Sequence, residues 1–309
     1  MATQVTKLGG IASNHGLMMM TATMSNWTSA REEQCFESIK AGVDALPPGT
    51  KIFLNSGKTI ELLSRFYAKY PEYADKTFLS VKGAVRDRLE PDSSMENLRK
   101  SVSNILRVSV HQETQPLRAR KSHGELVVLV KEGHFAHIGL SECSAETLRK
   151  ANAVYPVTAA EIEVSVWEYG EEQKKVIATA GELGITVVAY SPLGKGFLTG
   201  KTGDYRARLT RFQEANMAHN MAIVSQLLAL AGKKGVTPAQ LCIAWVACLG
   251  RHVMPLPGSS KATCTLENCA AEDIVLSAEE VADITAIVEN AEVKGDRMFG
   301  GKELIHLWG

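Results

Sequence analysis

At roughly 150 residues per domain, the 309 residues make either two ordinary domains or one (β/α)8 barrel, and either can bury a large core. The 34 Lys+Arg balance 34 Asp+Glu, so no global positive field exists to hold a polyanion and nucleic acid is not an expected partner. With 45% hydrophobic and 22% charged residues the chain has a globular composition, not that of a disordered one. No run approaches the ~20 apolar residues of a membrane span. The first twenty residues lack a basic segment followed by a long apolar run and cleavage site, so a cytoplasmic protein is expected. The six cysteines contain no CxxC pair, and Cys242 and Cys248 sit in an apolar helical pattern, which predicts buried free thiols.

Short apolar runs alternate with longer amphipathic segments, as in repeated βα units around a parallel sheet. Strands are predicted at 9–16, 51–55, 77–82, 137–142, 159–165, 186–191 and 253–257, and the eighth is placed at Leu106 to His111, directly after a helix. Helices are predicted at 30–44, 59–70, 94–105, 125–131, 145–154, 171–183, 220–233, 238–249 and 278–290. Thr237 before Pro238 is an N-cap followed by proline at the first helical position. Ser144 and Ser277 each cap a first turn that carries an acid, and Gly184, Gly235 and Gly250 fall just past helix ends. No linker or composition shift divides the chain, so a single barrel domain over 1–309 is expected.

In such a barrel the chemistry gathers at the C-terminal ends of the strands. Four ends carry polar residues there: Val81-Lys82-Gly83, Gly139-Leu-Ser141-Glu142, Ala189-Tyr190-Ser191-Pro-Leu193-Gly194 and Pro257-Gly-Ser259-Ser260-Lys261. The last opens a short helix holding Glu267 and Asn268, and free N–H groups, hydroxyls and a lysine at a helix start suit a phosphate. Tyr190 offers a ring face to a flat heterocycle. The rivals are weaker. Gly194 to Thr202 misses GxxxxGK[ST] by one residue, His134-Phe-Ala-His137 lacks the HExxH glutamate, and no GxSxG occurs.

These strand ends, in this order, resemble the aldo-keto reductase superfamily, and the wider wording resembles its fungal pyridoxal reductase-like branch. The phrases that carry the likeness are Ala41-Gly-Val-Asp-Ala-Leu-Pro47, Tyr70-Pro-Glu-Tyr-Ala-Asp-Lys76, Phe78-Leu-Ser-Val-Lys-Gly83, His137-Ile-Gly-Leu-Ser-Glu-Cys-Ser-Ala-Glu146, the run Ala189 to Gly200, Thr237-Pro-Ala-Gln-Leu-Cys-Ile-Ala-Trp245, and Pro257 to Lys261 with Leu266-Glu-Asn268. The tail Lys294-Gly-Asp-Arg-Met-Phe-Gly300 to Gly309 is also similar to that branch.

The resemblance implies a TIM barrel that holds NADP without a Rossmann glycine motif and reduces small aldehydes or ketones, pyridoxal among them. It assigns Ser141, Glu142 and Glu161 to the nicotinamide carboxamide and Tyr190 to stacking on its ring. Ser191, Leu193, Lys195, Gly196 and Phe197 would line the pyrophosphate and ribose, and Ser259, Ser260, Lys261, Glu267 and Asn268 the 2′-phosphate and adenine. Family catalysis uses a tyrosine acid, a lysine that lowers its pKa, an aspartate paired to that lysine and usually a histidine. Lys82 matches the lysine, Asn55-Ser56-Gly57 matches the start of the acid's motif, and His111 is the candidate for the histidine.

Two internal deletions mark departures from the family. After Gly57 comes Lys58-Thr-Ile-Glu-Leu62, with Ile60 in the tyrosine's nominal place, and Arg107 to Ser122 matches neither the family's loop nor its fourth strand. The barrel is therefore expected to be incomplete around strands 2 to 4. Cys264 stands where the family often has a cation on the 2′-phosphate, which weakens the expected preference for NADP over NAD. The reading that competes with a reductase is a barrel that binds dinucleotide but is catalytically impaired because it lacks the acid tyrosine.

Overall fold

Runs buried on both faces, such as Ile52–Ser56 and Ala159–Glu163, make parallel strands, because helices cover the outside of the sheet while side chains fill its inside. The computed structural model describes residues 6–8, 11–13, 15–19, 31–56, 60–83, 94–108, 117–118, 123–200, 209–290, 292–297 and 308. An antiparallel hairpin, β1 (Thr6–Leu8) and β2 (Ile11–Ser13), precedes the repeating part. There follow β3 (His15–Met19), α1 (Glu32–Asp44), β4 (Ile52–Ser56), α2 (Ile60–Lys69), β5 (Thr77–Lys82), α3 (Met95–Val108), β6 (Leu117–Arg118), α4 (His123–Lys131), β7 (Ile138–Ser141) and α5 (Ala145–Val154). The second half holds β8 (Ala159–Glu163), α6 (Glu171–Leu183), β9 (Thr186–Tyr190), α7 (Glu214–Lys234), α8 (Pro238–Cys248), β10 (Val253–Leu256), β11 (Gly258–Ser259), α9 (Ala262–Cys269) and α10 (Ala278–Asn290).

The strands from β3 to β10 pair in parallel with their chain neighbours, and β11 pairs in parallel with β3. Only Pro257 separates β10 from β11, so the segment 253–259 bonds β9 with its first half and β3 with its second. The ring closes through that segment into an eight-stranded barrel. Pro257 can stand at the crossover because the strand changes partner there and no ladder N–H is needed.

Strand periodicity divides the barrel interior into layers. Phe53, Phe78, Ala159, Val188, Met254 and Leu256 form the apolar plug, with Phe53 and Phe78 stacked at 5.7 Å. Two residues further along their strands come Asn55, Ser80, Glu161 and Tyr190, at the C-terminal end of the ring. The opposite faces of β4 and β5 pack on Phe36, Ile39, Leu63 and Phe66 of α1 and α2. Those of β8 and β9 pack on a larger cluster built around Val176, Leu227 and Trp245.

Several expectations need correction. The first predicted strand, 9–16, is split between the hairpin and β3, so the ring strand starts at His15. Leu106 to Val108 are the last turn of α3, and the fourth ring strand is β6. Helical spacing explains this, since Leu98 and Val102 pack against Leu126 and Leu129 of α4 and the same face carries the helix onward. The two-residue β6 has no periodicity to betray it. Nor is the ring open around strands 2 to 4: β4 and β5 pair over five residues, and the narrowing is confined to β6, which pairs over two residues on each side.

The caps are as expected. Thr237 and Gln240 form a capping box, Ser144 accepts from the Thr147 N–H, and Gly184 and Gly235 are left-handed. All six cysteines are free thiols, with Cys35, Cys143 and Cys242 buried; Cys248 is exposed, because it lies at the end of α8 on its solvent side. No described helix is long and apolar enough to cross a membrane.

Candidate active site

Lys82 is the last residue of β5, and its partly exposed ammonium stands at the mouth of the barrel. It meets Glu161 of β8 at 2.6 Å, across the interior, and Glu161 is wholly buried. The other oxygen of Glu161 accepts from Asn55 Nδ2 at 2.9 Å. The Lys82 nitrogen also lies 5.5 Å from the centre of the Tyr190 ring, a cation over a π-face. One polar layer thus joins β4, β5, β8 and β9.

A second cluster adjoins it. Glu142 follows β7 in a left-handed conformation (φ +53°), which turns its buried carboxylate back so that Oε1 accepts the Glu163 N–H at 3.1 Å. Arg297 bonds Glu142 Oε1 at 2.8 Å, Glu163 Oε2 at 2.6 Å and the Tyr190 hydroxyl at 3.1 Å, and Lys195 adds a contact to Glu163 at 3.1 Å. Burial pushes the Glu163 carboxyl up, but Lys195 and Arg297 outweigh it and hold the group below the usual carboxylate range. Burial, then the Glu142 charge, raises Tyr190 well above an ordinary phenol, so its hydroxyl stays protonated.

Arg297 was not legible as a site residue. It arrives on a strap, 292–297, tied down at three places. Asn220 exchanges hydrogen bonds with the Lys294 backbone, Thr210 Oγ1 accepts the Asp296 N–H at 2.6 Å, and Gly295 (φ +91°) passes so close to Arg211 that a Cβ would lie 2.5 Å from its Cα. The one signal in the sequence was Gly295 followed by Asp-Arg, a tight approach delivering a cation.

The loop after β9 has left-handed residues at Ser191, Gly194, Lys195, Gly196 and Gly200. Leu193 and Gly196 are half-buried within it. Two of its assignments change. The Lys195 ammonium is engaged by Glu163 and the Arg297 carbonyl, and Phe197 is buried in the core, stacked on Trp167 at 5.0 Å, so only its backbone is left to line a ligand. Apolar burial won over display because Phe197 lies beneath the loop against Trp167 and Phe212.

Around α9, Ser259 Oγ bonds the Lys261 backbone, Gln34 bonds the Ser260 carbonyl at 2.8 Å, and Lys261 is exposed without capping the helix by its side chain. Asn268 is buried and Glu267 half-buried on the same helix. The N-cap residue Lys261 makes no side-chain cap to α9, whose first-turn N–H groups are of the kind that suits an anion. Ser141 is half-buried beside Glu161, its register partner. Among the described residues Glu142 Oε2 is buried without a hydrogen-bond partner, a fit for an amide N–H donor such as a nicotinamide carboxamide. Ile60 begins α2 and packs toward α1, away from the mouth. His111 and Gly57 lie outside the described residues.

The profile described as the Aldo/keto reductase family matches residues 51–289. The chain belongs to this family. Aldo-keto reductase str7 of Strobilurus tenacellus is 40% identical over 184 residues, which are 56% of this chain and 55% of that protein; the chain spans about half the length of that curated relative. Among solved structures, the glycerol dehydrogenase AKR11B4 from Gluconobacter oxydans superposes with a TM-score of 0.78 over 95% of this chain and 98% of its own, at 21% identity, a likeness of fold. In this aldo/keto reductase the Tyr67 hydroxyl is bonded to Thr77, that of Tyr73 to Asp44 and that of Tyr190 to Arg297.

Proposed function

We propose that this aldo/keto reductase is a cytoplasmic, NADP-dependent reductase of small aldehydes or ketones, with pyridoxal-like aromatic aldehydes as its substrate class. The observation that supports it best is the Lys82 ammonium, held between a buried carboxylate and the face of Tyr190 at the barrel mouth. NADPH supplies the hydride in such chemistry. Tyr190 gives its ring a stacking face, Ser141 and the free oxygen of Glu142 take its carboxamide, and the start of α9 with Ser259, Ser260 and Lys261 takes the 2′-phosphate. Lys82 donates the proton to the carbonyl oxygen. An alkylammonium and a phenol have similar acid strength, with ordinary pKa values of about 10.4 and about 10, so a lysine can take over the acid's task.

The test is consumption of NADPH with pyridoxal and simple aromatic aldehydes, together with calorimetry. Absence of NADPH binding at ~1 mM, the level of ~4 kcal/mol, refutes the proposal. A second reading, a barrel that binds dinucleotide with little turnover, is favoured by the engagement of the Tyr67, Tyr73 and Tyr190 hydroxyls elsewhere. Binding of NADPH without aldehyde-dependent oxidation, in the native chain, establishes that reading instead.

A further inference from the structure

We propose that Glu161, fixed by Asn55, is the counter-ion that sets how firmly Lys82 holds its proton, and that it is not a ligand of the cofactor's carboxamide. The proposal rests on Lys82 handling the proton, as above. Both oxygens of Glu161 are committed: Oε1 to Lys82 at 2.6 Å and Oε2 to Asn55 at 2.9 Å. Among the described residues two carboxylate oxygens at this end of the barrel are buried without a hydrogen-bond partner, Glu142 Oε2 and Glu161 Oε1, and the second is paired with the Lys82 ammonium, so the carboxamide falls to Glu142. An amide at position 55 cannot neutralise an ammonium. A wholly buried carboxylate 2.6 Å from the partly exposed ammonium does, and its charge favours the protonated lysine.

Glu161 is the carboxylate in direct contact with Lys82. Lys82 faces Glu161 from β8 and the Tyr190 ring from β9, Asn55 of β4 bonds Glu161, and β6 sets Arg118 in register beside Lys82. Among the described side chains, Glu142, Glu163, Glu168, Lys195 and Arg297 at this end are bound to one another. Positioning residue is therefore the role of Glu161: it acts on the carbonyl through Lys82.

Asparagine and aspartate, like glutamine and glutamate, differ only in NH2 against O. Exchanging acid and amide across the barrel therefore keeps one negative charge by Lys82, and it keeps the hydrogen bond between positions 55 and 161 with its direction reversed. This gives a test that a merely structural role fails. Asn55→Asp/Glu161→Gln is compared with Glu161→Gln and the native chain in three measurements: kcat/KM for an aromatic aldehyde against pH, NADPH affinity by calorimetry, and titration of 13C-dimethylated lysines by NMR, with the Lys82 signal identified by its loss in Lys82→Arg.

Glu161→Gln is expected to move the alkaline limb of the pH profile and the Lys82 titration down by about one to three pH units, so that kcat/KM falls at least tenfold on the alkaline side of the lowered value, and to leave the NADPH dissociation constant within threefold. The exchange variant is expected to recover most of both losses. An unmoved Lys82 titration in Glu161→Gln overturns the proposal, as does a loss confined to NADPH affinity, which returns Glu161 to the carboxamide, or a double variant no better than the single. The NMR titration does not depend on turnover. An inactive native chain whose Lys82 still responds to Glu161→Gln thus defeats the reductase reading while leaving the counter-ion in place. Should Glu161→Gln not fold, Asn55→Asp alone must raise the Lys82 titration, and its failure to do so counts against the proposal.

Discussion

Arg297 Nη2 lies 2.8 Å from Glu142 Oε1 across 155 residues of sequence, and the same guanidinium holds Glu163 and the Tyr190 hydroxyl. The strap that carries it thereby joins the ends of β7, β8 and β9, the strands that present the ring face and the free carboxylate oxygen. Removing the cation leaves two buried carboxylates with Lys195 alone. Arg297→Met should cost about 3–5 kcal/mol in urea unfolding, the usual penalty for breaking a buried pair. It should also weaken NADPH binding, because Tyr190 and Glu142 lose the group that orients them. Unchanged stability with unchanged NADPH affinity would show the strap to be dispensable.

The same cluster predicts a direction with pH. Burial works against the charge of Glu163, but Lys195 and Arg297 overcome it and the folded pKa is depressed. A depressed carboxyl stabilises the fold above its unfolded value of about 4.3, and that contribution is lost as pH falls through the folded value. Unfolding free energy should therefore decline on acidification below about pH 4, and the decline should be shallower in Arg297→Met, measured by urea titration at each pH.

How much of this was legible in the sequence depends on the signal each residue leaves. Strands β5 and β9 and helices α5, α6 and α10 follow from apolar period and caps, because local pattern and burial agree there. Lys82, Tyr190 and Glu142 were recognisable as strand-end residues. The partners of Lys82 and Arg297 were not, since ion pairs across a barrel join positions 79 and 155 residues apart and leave no spacing to find. β6 failed for a different reason: two residues carry no period, and the helix before it kept its apolar stripe beyond the predicted end.

Glu272 offers a second pH effect of opposite sign. It is half-buried in the turn after α9, where burial and then Asp273 push its carboxyl up to about 7. A raised acid opposes folding once it must ionise, so this group costs stability progressively from its unfolded value of about 4.3 up to about pH 7. Glu272→Gln should leave stability unchanged at pH 4 and raise it at pH 8, as read from thermal unfolding midpoints. A gain that is the same at both values would trace to something other than titration.

Gly194 sits at φ +55° with the Trp167 indole so near that a Cβ would lie 2.6 Å from its Nε1. Trp167 is pinned between Phe197 and Arg211 and cannot give way cheaply. Gly194→Ala should therefore destabilise the protein by about 1–3 kcal/mol and, if the loop lines the pyrophosphate, reduce NADPH affinity as well. The double variant Gly194→Ala/Trp167→Phe should recover part of the stability by removing the indole nitrogen's ring.

The last prediction concerns the acid itself. If Lys82 protonates the carbonyl oxygen unaided, the native chain turns over without a phenol, yet less well than with one, because a phenol between lysine and substrate adds an oriented donor. General acid catalysis contributes about 10²–10⁴-fold. Inserting a tyrosine-bearing loop after Gly57, where the likeness to the family breaks off, should raise kcat for an aromatic aldehyde at least tenfold, and Lys82→Met should reduce it by at least a hundredfold. Tyr67→Phe should change kcat little, because that hydroxyl is bonded to Thr77 at the opposite end of β5 from Lys82. A native kcat that is abolished by Tyr67→Phe would mean that the proton comes from the α2 side of the barrel, and would displace Lys82 from the role given to it.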